Sequence, residues 1–315
     1  MASMVSSKVD MTKIPHDQWH GIFPACLTMF TADGKIDEQG QRKHVDYLVE
    51  SGVHGIIACG TSGEFISLTN DERMVVTRII IDAVAGRIPV IAGTGHYSTH
   101  HTIQLTQQAQ QAGADGTLVI LPYFQKPPKP AILNHYRTLK QHTDLPIWLY
   151  NNPAYAACDP VTTLELVQLH QEGIICGVKS TFDSVVPIHE LLNMCDKSFR
   201  TFYGTFQSPL EALMTGAHGW ISGFLNFLTK PCVQLYEAVS SGQMDQAKQI
   251  WSQLLPFKQL YSHQHLGPTN DLAIYRAGLD LMGQNGGFSR LPFEPLNSEQ
   301  KQKLHDLMIQ QGVIA

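Results

Sequence analysis

The sequence has no excess of positive charge. Its 22 lysines and arginines are outnumbered by 27 aspartates and glutamates, so the net charge is -5 at neutral pH. A chain with this balance has no electrostatic reason to bind nucleic acid or an anionic membrane. No apolar run reaches the ~20 residues that a membrane-spanning helix needs, and the amino end has no signal-like apolar core. We therefore expect neither nucleic acid nor a membrane as a partner.

No two of the six cysteines have the C-x-x-C spacing of a redox or zinc motif. Three of them lie in apolar, strand-like segments, which is typical of buried thiols in a reducing compartment. No cluster of His, Cys, Asp or Glu has the spacing of metal ligands. The neighbouring His100 and His101 face different directions on a predicted helix start. The sequence therefore predicts a cytoplasmic protein without a metal centre.

Two catalytic signatures are also missing. No G-x-G-x-x-G follows the first predicted strand, which weighs against an open, doubly wound dinucleotide-binding sheet. No G-x-S-x-G nucleophile elbow is present, which weighs against a Ser-His-Asp hydrolase. An open sheet remains the second choice for the fold.

The sequence does contain a regular alternation of strand and helix patterns. Apolar segments such as 56–58, 90–92, 118–121 and 147–149 are separated by amphipathic segments with helix-start signals. One of these signals is the capping box from Thr69 to Glu72, and another is Asp159-Pro160. Eight strand candidates, beginning near residues 21, 55, 89, 116, 146, 174, 200 and 219, predict a (β/α)8 barrel.

Strand patterns stop near residue 230. Residues 231–262, 269–282 and 298–311 all have helical patterns, so a C-terminal helical domain is expected. The predicted organisation is a flexible leader at residues 1–16, a barrel at 17–229 and a helical domain at 230–315.

One predicted strand, residues 173–179, ends in a lysine. Strands of such barrels end in the active site, and burial there disfavours the charged ammonium form of Lys179. A neutral lysine amine can attack a carbonyl and form a Schiff base. The alternative is that Lys179 extends to the rim or pairs with an acid.

Other strand ends supply complementary groups. The loop from Gly60 to Glu64 has small residues, among them Thr61 and Ser62, whose amides and hydroxyls suit a carboxylate. Tyr150 ends an apolar strand, and its hydroxyl needs a partner. A tight turn and a core tyrosine are the simpler interpretations. Together with Lys179, however, these groups are what a 2-oxo acid needs to form and use an enamine.

Three segments of this chain, in this order, resemble the dihydrodipicolinate synthase / N-acetylneuraminate lyase superfamily. They are Gly60-Thr61-Ser62-Gly63-Glu64, Tyr150-Asn151-x-Pro153 and Gly177-Val178-Lys179. The likeness extends from about Gly21 to the C-terminus. It implies a barrel with a C-terminal helical domain, usually a homotetramer, that works through a pyruvate-type Schiff base without a metal or organic cofactor.

Carried over by position, the resemblance makes Lys179 the Schiff-base lysine and Tyr150 the general acid and base. Thr61 and Ser62 would hold the carboxylate of the 2-oxo acid. Thr181 would contact substrate hydroxyls, and Ile221 would line the pyruvate site.

Four positions depart from the resembled enzymes and are candidates for the specificity pocket. Tyr155 stands where the synthases carry an arginine that holds the carboxylate of the aldehyde, and Phe124 replaces their cross-subunit tyrosine. Phe206 and Gln207 stand where sialic-acid lyases carry Asp-Glu.

The run from Lys179 to Ser184 is most similar to that of the 2-keto-3-deoxy sugar acid aldolases and dehydratases. The expected function is therefore reversible aldol cleavage of a 2-keto-3-deoxy acid to pyruvate and an aldehyde. Three alternatives remain open. They are condensation of pyruvate with aspartate semialdehyde by a 4-hydroxy-tetrahydrodipicolinate synthase, a dehydratase or deaminase reaction on a related acid, and a non-catalytic barrel that binds a 2-oxo acid.

Overall fold

Strands and helices alternate through residues 14–262 and 265–314, which the computed structural model describes. The strands are β1 (Gly21–Pro24), β2 (Ile56–Ala58), β3 (Val90–Gly93), β4 (Gly116–Ile120), β5 (Ile147–Asn151), β6 (Gly177–Ser180), β7 (Arg200–Tyr203) and β8 (Gly219–Ser222). The helices that follow the strands in turn are α1 (Glu38–Glu50), α2 (Asn70–Val84), α3 (Thr99–Ala112), α4 (Lys129–Lys140), α5 (Thr163–Gln171), α6 (Val186–Met194), α7 (Pro209–Thr215) and α8 (Thr229–Ser240). Three more helices come after them, namely α9 (Met244–Ser262), α10 (Asp271–Leu281) and α11 (Ser298–Gln310).

All eight strands are parallel and hydrogen-bonded in the order β1-β8-β7-β6-β5-β4-β3-β2. A parallel bridge between Ala25 and Ile57 joins the two ends of this order, so the sheet closes on itself. The predicted (β/α)8 barrel with C-terminal helices is confirmed. No described helix is long and apolar enough to cross a membrane.

Large rings fill the amino-terminal part of the barrel. Phe23, Trp148 and Phe202 are fully buried, and their ring centroids lie 4.6–6.2 Å apart. Glycines on neighbouring strands give these rings room, since a Cβ at Gly177 would lie 2.7 Å from the Trp148 indole nitrogen. In barrels of this kind the active site lies at the other end, beyond the carboxyl ends of the strands.

The C-terminal helices differ from the prediction in one place. The predicted helix at 231–262 is two helices, α8 and α9, which are separated at Gly242 with a φ of +75°. Helix α8 packs on β1 and α7 and therefore belongs to the outer ring of the barrel. The domain boundary at residue 230 stays a prediction, and most of the predicted leader, residues 1–13, lies outside the described residues.

Two local predictions near β6 were wrong. Helix α5 begins at Thr163 instead of Asp159-Pro160, because Thr162 and Glu165 form the capping box. Strand β6 begins at Gly177 instead of residue 173, because Gly173, with a φ of +70°, still belongs to the turn that ends α5. The capping box from Thr69 to Glu72 at the start of α2 is confirmed.

Stability is expected to decrease as the pH falls from about 6.5 to about 4. Burial lowers the pKa of His44 to about 4, and the hydrogen bond with Asn226 offsets this effect only in part. Burial alone lowers the pKa of His135 to about 4. The unfolded chain takes up these protons near pH 6.5, before the folded chain does, so the free energy of unfolding falls in this window. The fully buried His44 alone contributes roughly 3 kcal/mol.

The urea midpoint, measured between pH 7 and pH 4.5, checks this expectation. His44→Gln removes one titrating ring and should make the midpoint less dependent on pH than in the wild type. A wild-type midpoint that stays constant over this range would contradict the assignment.

Candidate active site

Lys179 and Tyr150 are neighbours at the carboxyl end of the barrel. They are register partners on β6 and β5, each two residues beyond the layer that holds Gly177 and Trp148. Because side chains on a strand alternate with a period of two, both point into the barrel. The Lys179 Nζ lies 4.0 Å from the centroid of the Tyr150 ring, and both side chains are 5% exposed. The structure therefore brings together the amine and the phenol that the sequence selected.

Burial raises the pKa of the Tyr150 phenol, but other groups outweigh this effect. The charge of Lys179, hydrogen bonds from Asn152 and Lys179, and the nearby Thr61 hydroxyl together lower the pKa below its ordinary value of 10.0. The Asn152 Nδ2 donates to the Tyr150 oxygen at 2.8 Å and fixes its position. A phenol whose pKa is lowered in this way is suited to accept and return protons.

The loop that begins at Gly60 lies beside this pair. The Thr61 hydroxyl is buried and has no partner at ordinary hydrogen-bond distance among the described residues. Glu64 anchors the loop at a φ of +53°, because its carboxylate accepts hydrogen bonds from the Arg276 guanidinium at 2.5 Å and the Arg290 amide at 3.1 Å. Unsatisfied buried hydroxyls are uncommon in native proteins, so Thr61 is a candidate contact for a bound ligand.

A second unsatisfied hydroxyl, that of Thr181, follows β6. Its backbone amide donates to the Asn151 carbonyl at 3.1 Å, but its Oγ1 is buried and lacks a partner in the described residues. A Cβ at Gly204 would lie 2.3 Å from this oxygen and 3.0 Å from the Lys179 Cε. Only a glycine at position 204 leaves room for both side chains, although the sequence analysis did not single it out.

A cavity of about 280 Å³ lies beside the loop that begins at Gly60. Its apolar wall is formed by Phe65, Ile66, Ile120, Tyr123, Leu272 and Phe293. Its polar residues are Thr61, Ser62, Glu64, Tyr155 and Asp271. Thr61 and Ile120 also line a small inner space that Tyr150 borders, so the cavity and the phenol share lining residues. Of the predicted pocket residues, Thr61, Ser62 and Tyr155 line this cavity.

Phe206 and Gln207 do not line it. Phe206 is 7% exposed and packs against Trp220, Phe224 and Trp251, with ring centroids 4.2–5.7 Å away. It thus fills the junction between the barrel and α9, where an apolar ring is stable. Gln207 is half-buried, and its backbone amide donates to the Thr205 hydroxyl at 3.0 Å in the loop after β7. The prediction that Phe206 contributes to the substrate pocket does not agree with this packing.

Ile221 and Phe124 also lie apart from the cavity. Ile221, which was predicted to line the pyruvate site, is fully buried on β8, two residues beyond Gly219. It faces the barrel interior and does not line this cavity. Phe124 is 89% exposed at a φ of +82° and borders a separate groove with Tyr97. Its neighbour Tyr123 occupies the cavity wall instead.

No sequence pattern indicated that the C-terminal part of the chain contributes to this cavity. Asp271, Leu272 and Phe293 are more than 90 residues after Lys179 in the chain and line the same wall. Asn270-Asp271 has the pattern of a helix start, and Asn270 does cap α10. Nothing in that pattern indicates what the helix start faces.

The described residues contain no group of three His, Cys, Asp or Glu that could hold a metal ion. The groups that this site offers are a buried amine, a phenol and hydroxyl groups beside a mainly apolar cavity. This set is suited to imine formation and proton transfer on a small carbonyl compound.

Comparison with known proteins agrees with this chemistry. The model of the dihydrodipicolinate synthetase family matches residues 18–311. The chain belongs to this family. It is therefore an enzyme of the pyruvate-dependent class I lyases and synthases, as the sequence predicted.

The curated relatives include 4-hydroxy-tetrahydrodipicolinate synthases from several organisms. The one from Methanopyrus kandleri is 31% identical over 300 residues, covering 94% of this chain and 98% of the relative. The one from Pelobacter propionicus is 34% identical over 294 residues, with 93% and 99% coverage.

Solved structures give the same result. A prophage protein of the family from E. coli K12, YagE, in complex with pyruvate, has a TM-score of 0.88 at 31% identity. The alignment covers 94% of this chain and all of that one. Dihydrodipicolinate synthase from Aquifex aeolicus has a TM-score of 0.85 at 29% identity, with 93% and 98% coverage.

Proposed function

We propose that this enzyme catalyses a reversible aldol reaction between pyruvate and an aldehyde, with a Schiff base on Lys179 as the covalent intermediate. The observation that carries the proposal is the buried Lys179 amine, 4.0 Å from the Tyr150 ring centroid at the open end of the barrel. The absence of a solvent-exposed position for this lysine favours the nucleophile over the rim lysine that the sequence left as an alternative.

The neutral Lys179 amine attacks C2 of pyruvate, and Tyr150 protonates the oxygen so that the carbinolamine loses water and becomes an iminium. The Tyr150 phenolate then takes a proton from C3, which gives the enamine and restores the phenol. Its C3 attacks the carbonyl carbon of the aldehyde, and Tyr150 protonates the new alkoxide. Water then hydrolyses the iminium, which releases a 2-keto-4-hydroxy acid and restores the amine. Cleavage follows the same steps in reverse.

Thr61 and Ser62 hold the pyruvate carboxylate in this proposal. Both line the cavity, and Thr61 also borders the inner space beside Tyr150. The Thr61 hydroxyl has an unused hydrogen-bonding capacity. The Thr181 hydroxyl, which is also unsatisfied and next to the Lys179 strand, contacts a substrate hydroxyl.

The identity of the aldehyde separates two candidate functions. The names of the relatives support the synthase that condenses pyruvate with aspartate semialdehyde better than they support the aldol cleavage of a 2-keto-3-deoxy acid. The cavity supports the aldol cleavage of a 2-keto-3-deoxy acid, because its described lining includes no lysine, arginine or histidine that would pair with a carboxylate on the aldehyde. On this geometry we favour the aldolase and retain the synthase as the second candidate.

Three nearby cations form ion pairs with acids. Lys126 pairs with Asp159 at 2.8 Å, Arg276 with Glu64 at 2.5 Å, and Arg290 with Glu72 at 2.6 Å. At the arginine position of the synthases the chain has Tyr155, which offers one hydroxyl instead of a charged, bidentate fork. Loss of such a charge-assisted bond costs about 1.5–3 kcal/mol, or roughly one to two decades in affinity.

We also propose that the enzyme works in the cytoplasm as a homotetramer. The exposed Phe124 and Tyr97, which stand beside one groove near the end of β4, support contact with another copy. The free thiols of all six cysteines are compatible with a reducing compartment.

A comparison of aldehydes tests the proposed function. The kcat/KM with pyruvate and neutral, sugar-derived or aromatic aldehydes should exceed that with aspartate semialdehyde by about tenfold or more. Tyr155→Arg should raise activity with aspartate semialdehyde, whereas Leu164→Arg, at an exposed position of α5 outside the cavity, should not. Efficient turnover of aspartate semialdehyde alone, near a kcat/KM of about 10⁴ M⁻¹s⁻¹, would favour the synthase instead.

A further inference from the structure

We infer that Asp271 determines which aldehyde this enzyme accepts. Its carboxylate, on the cavity wall, accepts a hydrogen bond from a hydroxyl on the tail of the aldehyde and excludes an aldehyde whose tail carries a carboxylate. This inference rests on the proposed function and names the substrate class as neutral hydroxyaldehydes.

The position of Asp271 is fixed by its own helix. Asn270 caps α10 by accepting a hydrogen bond from the Ala273 amide at 2.9 Å, which places Asp271 in the first turn. The Leu272 amide donates to one carboxylate oxygen of Asp271 at 3.1 Å, and the Tyr275 hydroxyl donates to the other at 3.1 Å. The carboxylate is therefore held in place before any ligand binds.

The same helix connects Asp271 with the loop that is proposed to hold pyruvate. A Cβ at Gly223 would lie 2.3 Å from the Tyr275 ring and 2.5 Å from the Ser62 Oγ, so these groups pack together. Ser62 and Asp271 both line the cavity. A substrate bound to Ser62 by its pyruvate part would thus extend its other part through the cavity that Asp271 borders.

The charge of Asp271 is not neutralised in the way that the charge of Glu64 is. Both acids line the cavity, but Glu64 forms a buried ion pair with Arg276 at 2.5 Å. Among the described residues no cation forms an ion pair with Asp271, which accepts hydrogen bonds from neutral donors only. Burial raises the pKa of its carboxyl group, and the hydrogen bonds from Tyr275 and Leu272 oppose this effect by stabilising the carboxylate.

A second carboxylate in this enclosed space would meet a like charge without a cation, which is unfavourable for both groups. A hydroxyl, in contrast, donates a hydrogen bond to an ionised acceptor, and such bonds are stronger than those between neutral groups. The aromatic and aliphatic wall around Asp271 contacts the carbon chain of the aldehyde. These properties together select a compact, uncharged aldehyde with a distal hydroxyl.

Two variants separate the charge of Asp271 from its hydrogen bond. Asp271→Asn removes the charge and keeps an acceptor, so the kcat/KM for succinic semialdehyde relative to glyceraldehyde should rise about tenfold or more. Asp271→Leu removes the acceptor, so the preference for glyceraldehyde over propionaldehyde should fall about tenfold. The matched control is Glu299→Gln, which removes a first-turn acid from α11 on the surface and should leave both ratios unchanged.

Borohydride trapping of pyruvate is measured on every variant and should stay at the wild-type level. Trapping that is intact together with ratios within about twofold of the wild type would overturn the inference and leave the proposed function standing. A wild type that prefers succinic semialdehyde to every neutral aldehyde would also overturn it. No trapping in the wild type would instead contradict the proposed function. If Asp271→Leu does not fold, the Asp271→Asn ratio decides alone.

Discussion

Lys179→Ala and Lys179→Arg are both expected to lose turnover by about 10³-fold or more, as enzymes do when a covalent nucleophile is removed. Alanine has no amine, and the arginine guanidinium keeps its proton and cannot act as a nucleophile. The arginine variant is the more informative test, because it preserves a positive charge above the Tyr150 ring and removes only the nucleophile. The measurement is kcat/KM for the best aldehyde of the panel.

Lys230→Ala is the control for this pair of variants. Lys230 is exposed at the start of α8, so its removal should leave kcat/KM unchanged. A Lys179→Arg variant that retains more than a tenth of the wild-type activity would show that the lysine acts by its charge, as a rim or ion-pair lysine would.

Tyr150→Phe is expected to fold but to lose roughly 10²–10⁴-fold in kcat, the usual effect of a missing general acid or base. The phenyl ring still supports the Lys179 side chain, so pyruvate should still be trapped by borohydride, although more slowly. The Asn152 amide loses its acceptor, which should reduce stability by about 1 kcal/mol. Single-turnover kinetics with pyruvate alone, and then with an aldehyde, measure the two steps separately.

Tyr136→Phe is the matched control for this prediction. Tyr136 is buried as well, and its hydroxyl donates to the Val119 carbonyl at 3.0 Å. It does not line the cavity. Its variant should lose a similar amount of stability and no turnover. A loss of less than about threefold in Tyr150→Phe would make Tyr150 a core tyrosine of the same kind.

The sequence was sufficient to locate Lys179 and Tyr150 because parallel strands align their carboxyl ends. Once both were placed at strand ends, the barrel itself brought them together, and the register pairs them directly. The bounds of β6 were less predictable. Ile174 and Ile175 are apolar and suit a strand, but they lie in the segment between the turn at Gly173, which has a positive φ, and the start of β6 at Gly177.

The residues that line the cavity could not all be predicted, because the lining depends on contacts between distant segments. Phe206 follows a strand end, yet it packs outward on Trp251 of α9, a contact that no local pattern indicates. Asp271 enters the cavity from a helix that sequence patterns describe only as amphipathic and capped. Positions at strand ends follow from periodicity, whereas the residues that cover the barrel follow from how the last helices fold back over it.

Reduction with borohydride in the presence of pyruvate, followed by peptide mass mapping, tests whether Lys179 forms the Schiff base. We expect one reduced pyruvate adduct per chain, on the peptide that contains Lys179, and no adduct in Lys179→Arg. An adduct on another lysine, or equal labelling of Lys179→Arg, would contradict it.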